Sequence, residues 1–444
     1  MISVSEKYKE LLESNIRYEC HPTIRILGRT NDNEIVDINF DASKIKDLQF
    51  TSFADPLGKE NSYMELTWSE VFNDKIGKKE SIKKYENVSE HMAVQLSFKQ
   101  NLQSFNTWGL LYKLNKTWKN LYNDKKTWKK LKGEVEQEKI DFPVMFLVDK
   151  PKVEGNLVKW VARDALHFLN ENQILVFDYE KNRAHNHDII KQLLENQRKH
   201  FNNDTDPLYS YIGKTIYYLD KYPGTGTISG IFGLSGNSRD LLRKYGNVIG
   251  NTFVTFISPK KYGDDFMVFN DGVGFDIDSA MGNPAGPIEI KKIKLSHMYK
   301  YPTLKFQKKI KDFYFSLYSV ENVKTNDDNT VKSFDNKERE KYSITYYDKQ
   351  YGDFIEENND LMVTSQYTET RSREYIRLVD DELPIINCEI IHDLSIEPGD
   401  IISCETNTYD ESGKTVSYNG VLVKNSISYN GAIKQNIVVN AVSF

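Results

Sequence analysis

A run of short strand-like segments separated by turn residues fills the last fifty residues of this chain and limits what it can fold into. In segment 433–441 apolar residues recur on one face, whereas Lys434 and Asn436 lie on the other. Asn419-Gly420 and Asn430-Gly431 separate such segments, and Asn-Gly suits the two positive φ angles of a type I′ hairpin turn. The pattern predicts a small antiparallel sheet or barrel at the end of the chain, with one face buried.

The same alternation recurs in the first hundred residues. In segments 64–68 and 92–98 every second residue is apolar. Ahead of these segments, Ser3 or Ser5 is expected to cap a short helix that runs through Leu12. Several short strands punctuated by turns are typical of a barrel or a sandwich, and not of a parallel α/β sheet.

The central part of the chain alternates strand-like and helix-like segments. Residues 189–201 and 238–245 are predicted to be helices, and Ser238 is expected to cap the second one. Segments 253–257 and 266–269 are predicted to pair as antiparallel strands. This region therefore resembles an α+β module, unlike the parts before and after it.

A further β region precedes the closing segments. Residues 313–320 and 342–347 are predicted to be a strand and its return strand, joined by a mobile polar loop at about 322–336. Residues 365–379 have a weak helical pattern. The whole chain is therefore expected to be α+β and mainly β.

Charge and cysteine content exclude several classes of protein. The 444 residues contain 59 Lys and Arg against 64 Asp and Glu, a net charge of −5, which disfavours a nucleic-acid binder that relies on bulk positive potential. Cys20, Cys388 and Cys404 form no C-x-x-C pair, so neither a disulfide scaffold nor a zinc finger is predicted. No segment has the length and apolarity of a signal peptide or a membrane span, and a soluble protein is expected.

A Lys-rich stretch at 108–139, with Trp118 and Trp128 ten residues apart, allows two interpretations. Aromatic and basic residues together can bind nucleic acid or an anionic wall polymer, because stacking and phosphate pairing need both. The alternative is a solvated helix or hairpin inserted into the first β region, with its Trp residues packed down and its Lys residues facing water. The pattern favours the insertion.

Four patterns were tested for chemistry, and none predicts catalysis. The glycines from Gly224 to Gly236 lack the spacing of a phosphate-binding loop, and His185-Asn186-His187-Asp188 lacks the spacing of a zinc protease. The neighbours Cys20 and His21 point to opposite faces of a strand. Acidic pairs such as Asp327-Asp328 lie in loop-like contexts. No catalytic residue, metal ligand or cofactor-binding residue is therefore assigned, and no enzyme activity is expected.

Five phrases, taken in order along the chain, carry a resemblance to a known family. They are Val4-Ser5-Glu6-Lys7-Tyr8-Lys9-Glu10 leading to Ile16-Arg17, Phe146-Leu147-Val148 leading to Val158-Lys159-Trp160-Val161-Ala162-Arg163-Asp164-Ala165-Leu166, Ser238-Arg239-Asp240-Leu241-Leu242, Leu394-Ser395-Ile396-Glu397-Pro398-Gly399-Asp400-Ile401, and Ser428-Tyr429-Asn430-Gly431-Ala432. The ordered set is similar to the tail-hub proteins of phages and prophages of low-GC Gram-positive hosts, often labelled minor structural protein or prophage endopeptidase tail.

The resemblance implies a domain plan. The first tube-like antiparallel β-barrel would occupy residues 1–165 with the Lys- and Trp-rich insertion at about 101–139, an α+β middle domain 166–300, and a second tube-like barrel 301–444. Such hubs resemble the central hub of contractile tails, in which two barrels per subunit let a trimer imitate the six-fold tail tube.

The resemblance also implies a function at the distal end of a tail. A non-enzymatic homotrimer in the virion, assembled in the host cytoplasm, would adapt the tail tube to the tip. Its partners would be a tail tube or distal tail protein, a tape measure protein, a tip, spike or receptor-binding protein, and DNA that passes through the lumen. A peptidoglycan hydrolase and a host-surface carbohydrate-binding adhesin are the alternatives, and no residue here matches a lytic site.

Overall fold

A computed structural model gives the fold of this chain. It describes residues 2, 4–14, 19–29, 34–40, 43–53, 62–69, 85, 87–102, 136–168, 172–178, 184–185, 227–228, 231–241, 244, 253–255, 268–270, 290–306, 310–328, 330–345, 353–358 and 383–441. No helix in these ranges is long and apolar enough to cross a membrane.

Strands dominate the described residues, as the sequence predicts. Helix α1 spans Glu6–Glu13. The strands are β1 Cys20–Arg29, β2 Ile35–Phe40, β3 Ile45–Phe53, β4 Tyr63–Ser69, β5 Ala93–Asn101, β6 Gln137–Asp141, β7 Met145–Leu147, β8 Lys152–Glu154, β9 Leu157–Arg163, β10 Asn172–Asp178, β11 Ala184–His185, β12 Thr227–Ile228, β13 Ile231–Asn237, β14 Phe253–Thr255, β15 Val268–Asn270, β16 Lys291–Ile293, β17 Thr303–Phe306, β18 Ile310–Thr325, β19 Val331–Thr345, β20 Asp353–Glu357, β21 Pro384–Ile390, β22 Ile401–Tyr409, β23 Thr415–Tyr429 and β24 Ile433–Ala441. Short 3-10 turns span Ala165–Phe168 and Leu295–His297.

The N-terminal sheet is formed by seven strands in the order β3-β4-β9-β7-β5-β1-β2, with β6 and β8 paired at its side. The alternation in the sequence produces it, since β2 buries every second residue and Met64, Leu66 and Trp68 of β4 are all buried. Ser5 caps α1, because its side chain accepts a hydrogen bond from the Tyr8 backbone N–H at 3.3 Å. The buried side chains of this sheet and of α1 form one apolar core.

The C-terminal barrel consists of β21, β24, β23 and β22 together with segment 291–306. This segment bridges the two outer strands: β16 pairs in parallel with β22, and β17 pairs antiparallel with β21. The predicted inward face of β24 is confirmed, since Ile437 and Val439 are fully buried. A separate apolar core fills the barrel.

One of the two predicted Asn-Gly turns is correct. Asn430-Gly431 separates β23 from β24, although only Gly431, with φ of +99°, has the positive φ that a type I′ turn needs at both residues. Asn419-Gly420 was predicted wrongly as a turn, because it lies inside the continuous strand β23. The chain reverses at 410–414 instead, where Gly413 has φ of +74°.

The long hairpin β18–β19 differs from its predicted form. It belongs to a separate three-stranded sheet, in the order β19-β18-β20, that pairs with no strand of the C-terminal barrel in the described part of the chain. The predicted loop at about 322–336 is wrong in its bounds, because β18 continues to Thr325 and β19 begins at Val331. Its backbone pairing extends almost to the tip, which polar composition alone does not reveal. The mobility of the segment stays a prediction.

The described parts of the middle region contain short paired strands and a short helical segment. β14 pairs antiparallel with β15, as predicted for segments 253–257 and 266–269. Residues 238–241 and 244 are helical, but Asn237 caps this helix instead of Ser238, because its Oδ1 accepts the Asp240 N–H at 2.8 Å. The predicted helices 189–201 and 365–379 lie outside the described residues, and the domain division at 165 and 300 stays a prediction.

Candidate functional site: a sheet junction, its buried loop and two sheet ends

The described residues include only part of the sequence patterns considered for chemistry. Trp118, Trp128, the glycines 224–226 and residues 186–188 lie outside the described residues, and His185 lies in β11. Within the described ranges, no group of three or more His, Cys, Asp or Glu residues could hold a metal ion. Three other features of the described residues are a junction between two regions, a buried loop and the two ends of the main sheet.

The first feature is the junction between the N-terminal sheet and the C-terminal barrel. β3 pairs antiparallel with β23 over six residue pairs, from Leu48 opposite Tyr429 to Phe53 opposite Lys424. The side chains of Thr51 and Ser426 are within hydrogen-bonding distance, at 3.1 Å. Since a backbone ladder crosses the boundary, the two regions share one 15-stranded sheet.

The second feature is the closing loop, residues 391–400, which connects β21 to β22 and is buried along most of its length. A buried loop must pair its backbone polar groups, and Gln435 of β24 supplies that pairing. Its Oε1 accepts the Asp393 N–H at 2.6 Å, and its Nε2 donates to the Asp393 carbonyl at 2.9 Å. The same Nε2 donates to Asn425 Oδ1 at 2.9 Å, and Asn425 donates to the Ile396 carbonyl at 3.1 Å.

The N-terminal residues hold the closing loop from the other side. The Leu394 N–H donates to the Tyr8 hydroxyl at 3.0 Å, and the Ile2 N–H donates to the Ser395 carbonyl at 2.7 Å. His392 Nε2 donates to Gln100 Oε1 of β5 at 2.9 Å. The loop is therefore a second connection between the N-terminal region and the C-terminal barrel, and side chains take part in most of these contacts, whereas the first connection is a backbone ladder.

Asp393 is one of three buried acidic residues of the closing loop, together with Glu397 and Asp400. Its Oδ1 accepts hydrogen bonds from the backbone N–H of Ser395 at 3.0 Å and from the Ser395 hydroxyl at 2.6 Å. Its Oδ2 lies 3.1 Å from Lys291 Nζ of β16. These contacts pair the buried carboxylate with hydrogen-bond donors and an opposite charge, as the stability of a buried charge requires. Sequence reasoning missed this network, although one signal was present: Gln435 is a polar residue on the apolar face of β24.

The third feature is the pair of strands at the two ends of the main sheet. β2 ends the sheet on the N-terminal side and β17 on the C-terminal side. Both ends carry exposed large apolar side chains: Ile35 at the start of β2 is 68% exposed, and Phe306 at the end of β17 is 52% exposed. Tyr301, just before β17, is 72% exposed. Exposed apolar residues on sheet edges are typical of surfaces that another chain covers.

The cysteines of the C-terminal barrel have the character of packing residues. Cys388 and Cys404 are both buried in its core. The neighbouring Cys404 thiol and burial both raise the pKa of the Cys388 thiol. A thiol held in its protonated form is a poor nucleophile, so this pair does not indicate an active site.

No known protein family matches this sequence, and no curated protein sequence matches it. Solved structures do match. The tail protein from Neisseria meningitidis MC58 aligns with a TM-score of 0.50 and 8% identity over 96% of this chain and 97% of that one. The 43 kDa tail protein of prophage MuSo2 from Shewanella oneidensis aligns with a TM-score of 0.49 and 10% identity over 95% and 98%. A chain of the Francisella PdpA-VgrG complex aligns with a TM-score of 0.47 and 12% identity over 97% of this chain and 54% of that one.

The first of these matches shows a shared fold over nearly the whole of both chains. At 8% identity the likeness concerns the fold alone. It covers 96% of this chain, so the overall fold is shared with that tail protein.

Proposed function

We propose that this protein is a structural hub at the distal end of a phage tail or a phage-derived tail, where three copies form a ring that adapts the tail tube to the tip. The observation that carries the proposal is the β3–β23 ladder, which joins two β regions side by side in one continuous sheet. One chain would therefore form an arc that contains two β units. Three copies would place six of these units around a lumen. The end-to-end fold likeness to a tail protein supports this role.

The two ends of the main sheet favour a ring of subunits over a dimer in which two identical surfaces face each other. Contacts between unlike surfaces, head to tail, produce closed rings when the rotation between copies closes. The apolar residues Ile35 at one end and Phe306 at the other would meet in such a contact. The domains would then be a first barrel over 1–165, a middle domain over 166–300 and a second barrel over 301–444, with the sheet of β18, β19 and β20 standing apart from both.

The role implies partners and a location. In the virion tail tip the ring would bind a tail tube or distal tail protein on one side and a tip, spike or receptor-binding protein on the other. Its lumen would hold the tape measure protein and later pass DNA. Assembly in the cytoplasm of a low-GC Gram-positive host is proposed on the sequence resemblance alone. The protein itself would be non-enzymatic and would need no cofactor.

Light scattering of the purified protein tests the ring. We expect a mass of about three times 51.6 kDa, because each head-to-tail contact would bury well over the roughly 1,000 Å² of a stable interface. Phe306→Asp places a charge in that contact and should shift the mass to that of a monomer. Phe354→Asp is the matched control, since Phe354 is 69% exposed but lies on β20, outside the main sheet. A monomer at every concentration, even with tail partners present, would contradict the proposal.

A wall-impregnated gel separates the hub from the hydrolase alternative. We expect no clearing band from protein that is free of contaminating lysins. Clearing by the pure chain would replace the structural role with an enzymatic one. The adhesin alternative predicts wall binding that is lost when Trp118 and Trp128 are both replaced by Ala.

A further inference from the structure

A cleft of about 750 Å³ lies between α1, segment 290–297 and the start of the closing loop. This volume falls within the range of protein sites that bind ligands. Buried apolar side chains from three separate segments form part of its lining, among them Ile2, Leu12 and Ile293. The cleft therefore offers an apolar floor between the N-terminal residues and the C-terminal barrel.

Basic side chains surround this floor. Lys292 and Lys294 are exposed and line the cleft, together with Lys291. Lys291 is paired with Asp393, whereas Lys292 and Lys294 form no ion pair with any residue in the described part of the chain. Lys9 and Glu13 of α1 also line the cleft, and Lys9 is paired with Glu6 at 2.9 Å. The cleft is thus locally positive on a chain whose net charge is −5.

The strand β16 presents its backbone edge to the cleft. Five consecutive residues, from Ile290 to Lys294, all line it. Successive side chains of a strand point to opposite faces, so an unbroken run of lining residues means that the strand lies edge-on. Among the described residues β16 pairs only with β22, on its other side. An edge of this kind can accept an extended peptide as an added strand.

We propose that this cleft binds an extended acidic segment of a partner polypeptide, which adds to β16 as a strand. Alternating side chains of such a segment would place carboxylates beside Lys292 and Lys294 and aliphatic groups on the apolar floor. Backbone pairing gives affinity in this mode of recognition, and the alternating pockets give specificity. The site belongs to a single chain, so it does not depend on ring formation.

Fluorescence anisotropy with the full-length protein tests the site. The probe is a fluorescein-labelled peptide, Asp-Val-Glu-Val-Asp-Val, and the first variant is Lys292→Glu/Lys294→Glu. We expect the variant to bind this peptide at least about tenfold more weakly, since two attractive contacts become repulsive. The Lys292→Glu/Lys294→Glu variant should bind the charge-reversed peptide Lys-Val-Lys-Val-Lys-Val more tightly than the wild-type protein does. The control Lys150→Glu/Lys152→Glu changes the same net charge at exposed residues away from the cleft and should leave binding unchanged.

A second probe tests the strand pairing on the wild-type protein, so the result does not depend on the folding of a variant. The acidic peptide with N-methyl groups at alternate residues keeps its charge but loses backbone donors, and it should bind at least about tenfold more weakly. Equal binding of the methylated peptide would reduce the site to an electrostatic patch and overturn the proposal. Equal loss in the Lys150/Lys152 control, or no loss in the Lys292/Lys294 variant, would overturn it as well. The mass measured by light scattering is independent of all these results.

Discussion

The closing loop and the tip of the β18–β19 hairpin are both segments with polar residues that connect two strands, but the first is buried and the second is exposed. Residues 392–398 of the closing loop are all buried, whereas residues 321–328 of the hairpin are all exposed. Besides bonds within itself, the closing loop makes hydrogen bonds to distant residues, including Tyr8 and Gln435. The hairpin tip is held by its own residues, such as the Asn326 amide that donates to Thr330 Oγ1 at 2.9 Å.

This difference in burial implies different structural roles for the closing loop and the hairpin tip. Burial of a polar loop demands partners for its backbone groups, and each partner lost inside the protein costs about 1–3 kcal/mol. Those partners come from the N-terminal sheet and the C-terminal barrel at once, so the loop couples the two regions. The hairpin tip is solvated, and its changes should stay local. The rigid unit of the molecule is therefore expected to be the main sheet with its closing loop, and the hairpin is expected to be an appendage.

Removal of Gln435 should have the largest effect. Gln435→Ala deletes the groups that pair with the N–H and carbonyl of Asp393, and the amide of Asn425 loses a partner too. We expect the free energy of unfolding, measured by urea titration, to fall by about 3–5 kcal/mol. Asn326→Ala removes a comparable amide from the exposed hairpin tip and should change it by less than about 0.5 kcal/mol. Similar losses of unfolding free energy in the two variants would contradict the distinction between a coupled closing loop and a local hairpin tip.

Removal of the Tyr8 hydroxyl tests the contact between α1 and the closing loop. Tyr8→Phe keeps the buried ring but removes the acceptor of the Leu394 N–H. The expected loss of unfolding free energy is about 1–2 kcal/mol, because the donor stays buried. Tyr409→Phe is the control at a side chain that is 66% exposed, and it should be neutral. If Tyr8→Phe proved equally neutral, the closing loop would not couple the N-terminal helix to the barrel.

The smallest global effect is expected from the anchor of the hairpin. Gly233 of β13 leaves room for the Phe334 ring, since a Cβ added at Gly233 would lie 2.4 Å from it. Phe334→Ala should leave the free energy of unfolding within about 0.5 kcal/mol. Limited trypsin digestion should nevertheless cut faster at Lys324 and Lys332, by about tenfold, because local opening becomes easier. A global loss of stability would show that the hairpin belongs to the rigid unit after all.

Local patterns predicted the strands well, and one turn signal failed for a physical reason. The face of β24 follows from simple alternation, and Gly431 does occupy a turn. Position 420 requires glycine for a steric reason, because a Cβ there would lie 2.2 Å from the Asn440 carbonyl oxygen of the neighbouring strand. A close approach of two backbones and a turn require the same residue, so the sequence alone could not distinguish them.

The junctions could not be predicted, because they depend on contacts between distant residues. Thr51 and Ser426, which meet across the β3–β23 ladder, are 375 residues apart. No local period records such a register. The burial of the closing loop is equally invisible in the sequence, since Glu397-Pro398-Gly399 indicates a turn but not whether that turn is buried. The two sheet ends likewise became visible only once the strand order was known.

Electron microscopy of the purified protein tests the central proposal most directly. If the N-terminal sheet and the C-terminal barrel form one rigid arc, averaged end views should show a closed ring of three copies. Six β densities should surround a central lumen, paired within each copy by the β3–β23 junction. Single particles of one chain, or two-fold dimers without a lumen, would contradict the proposal.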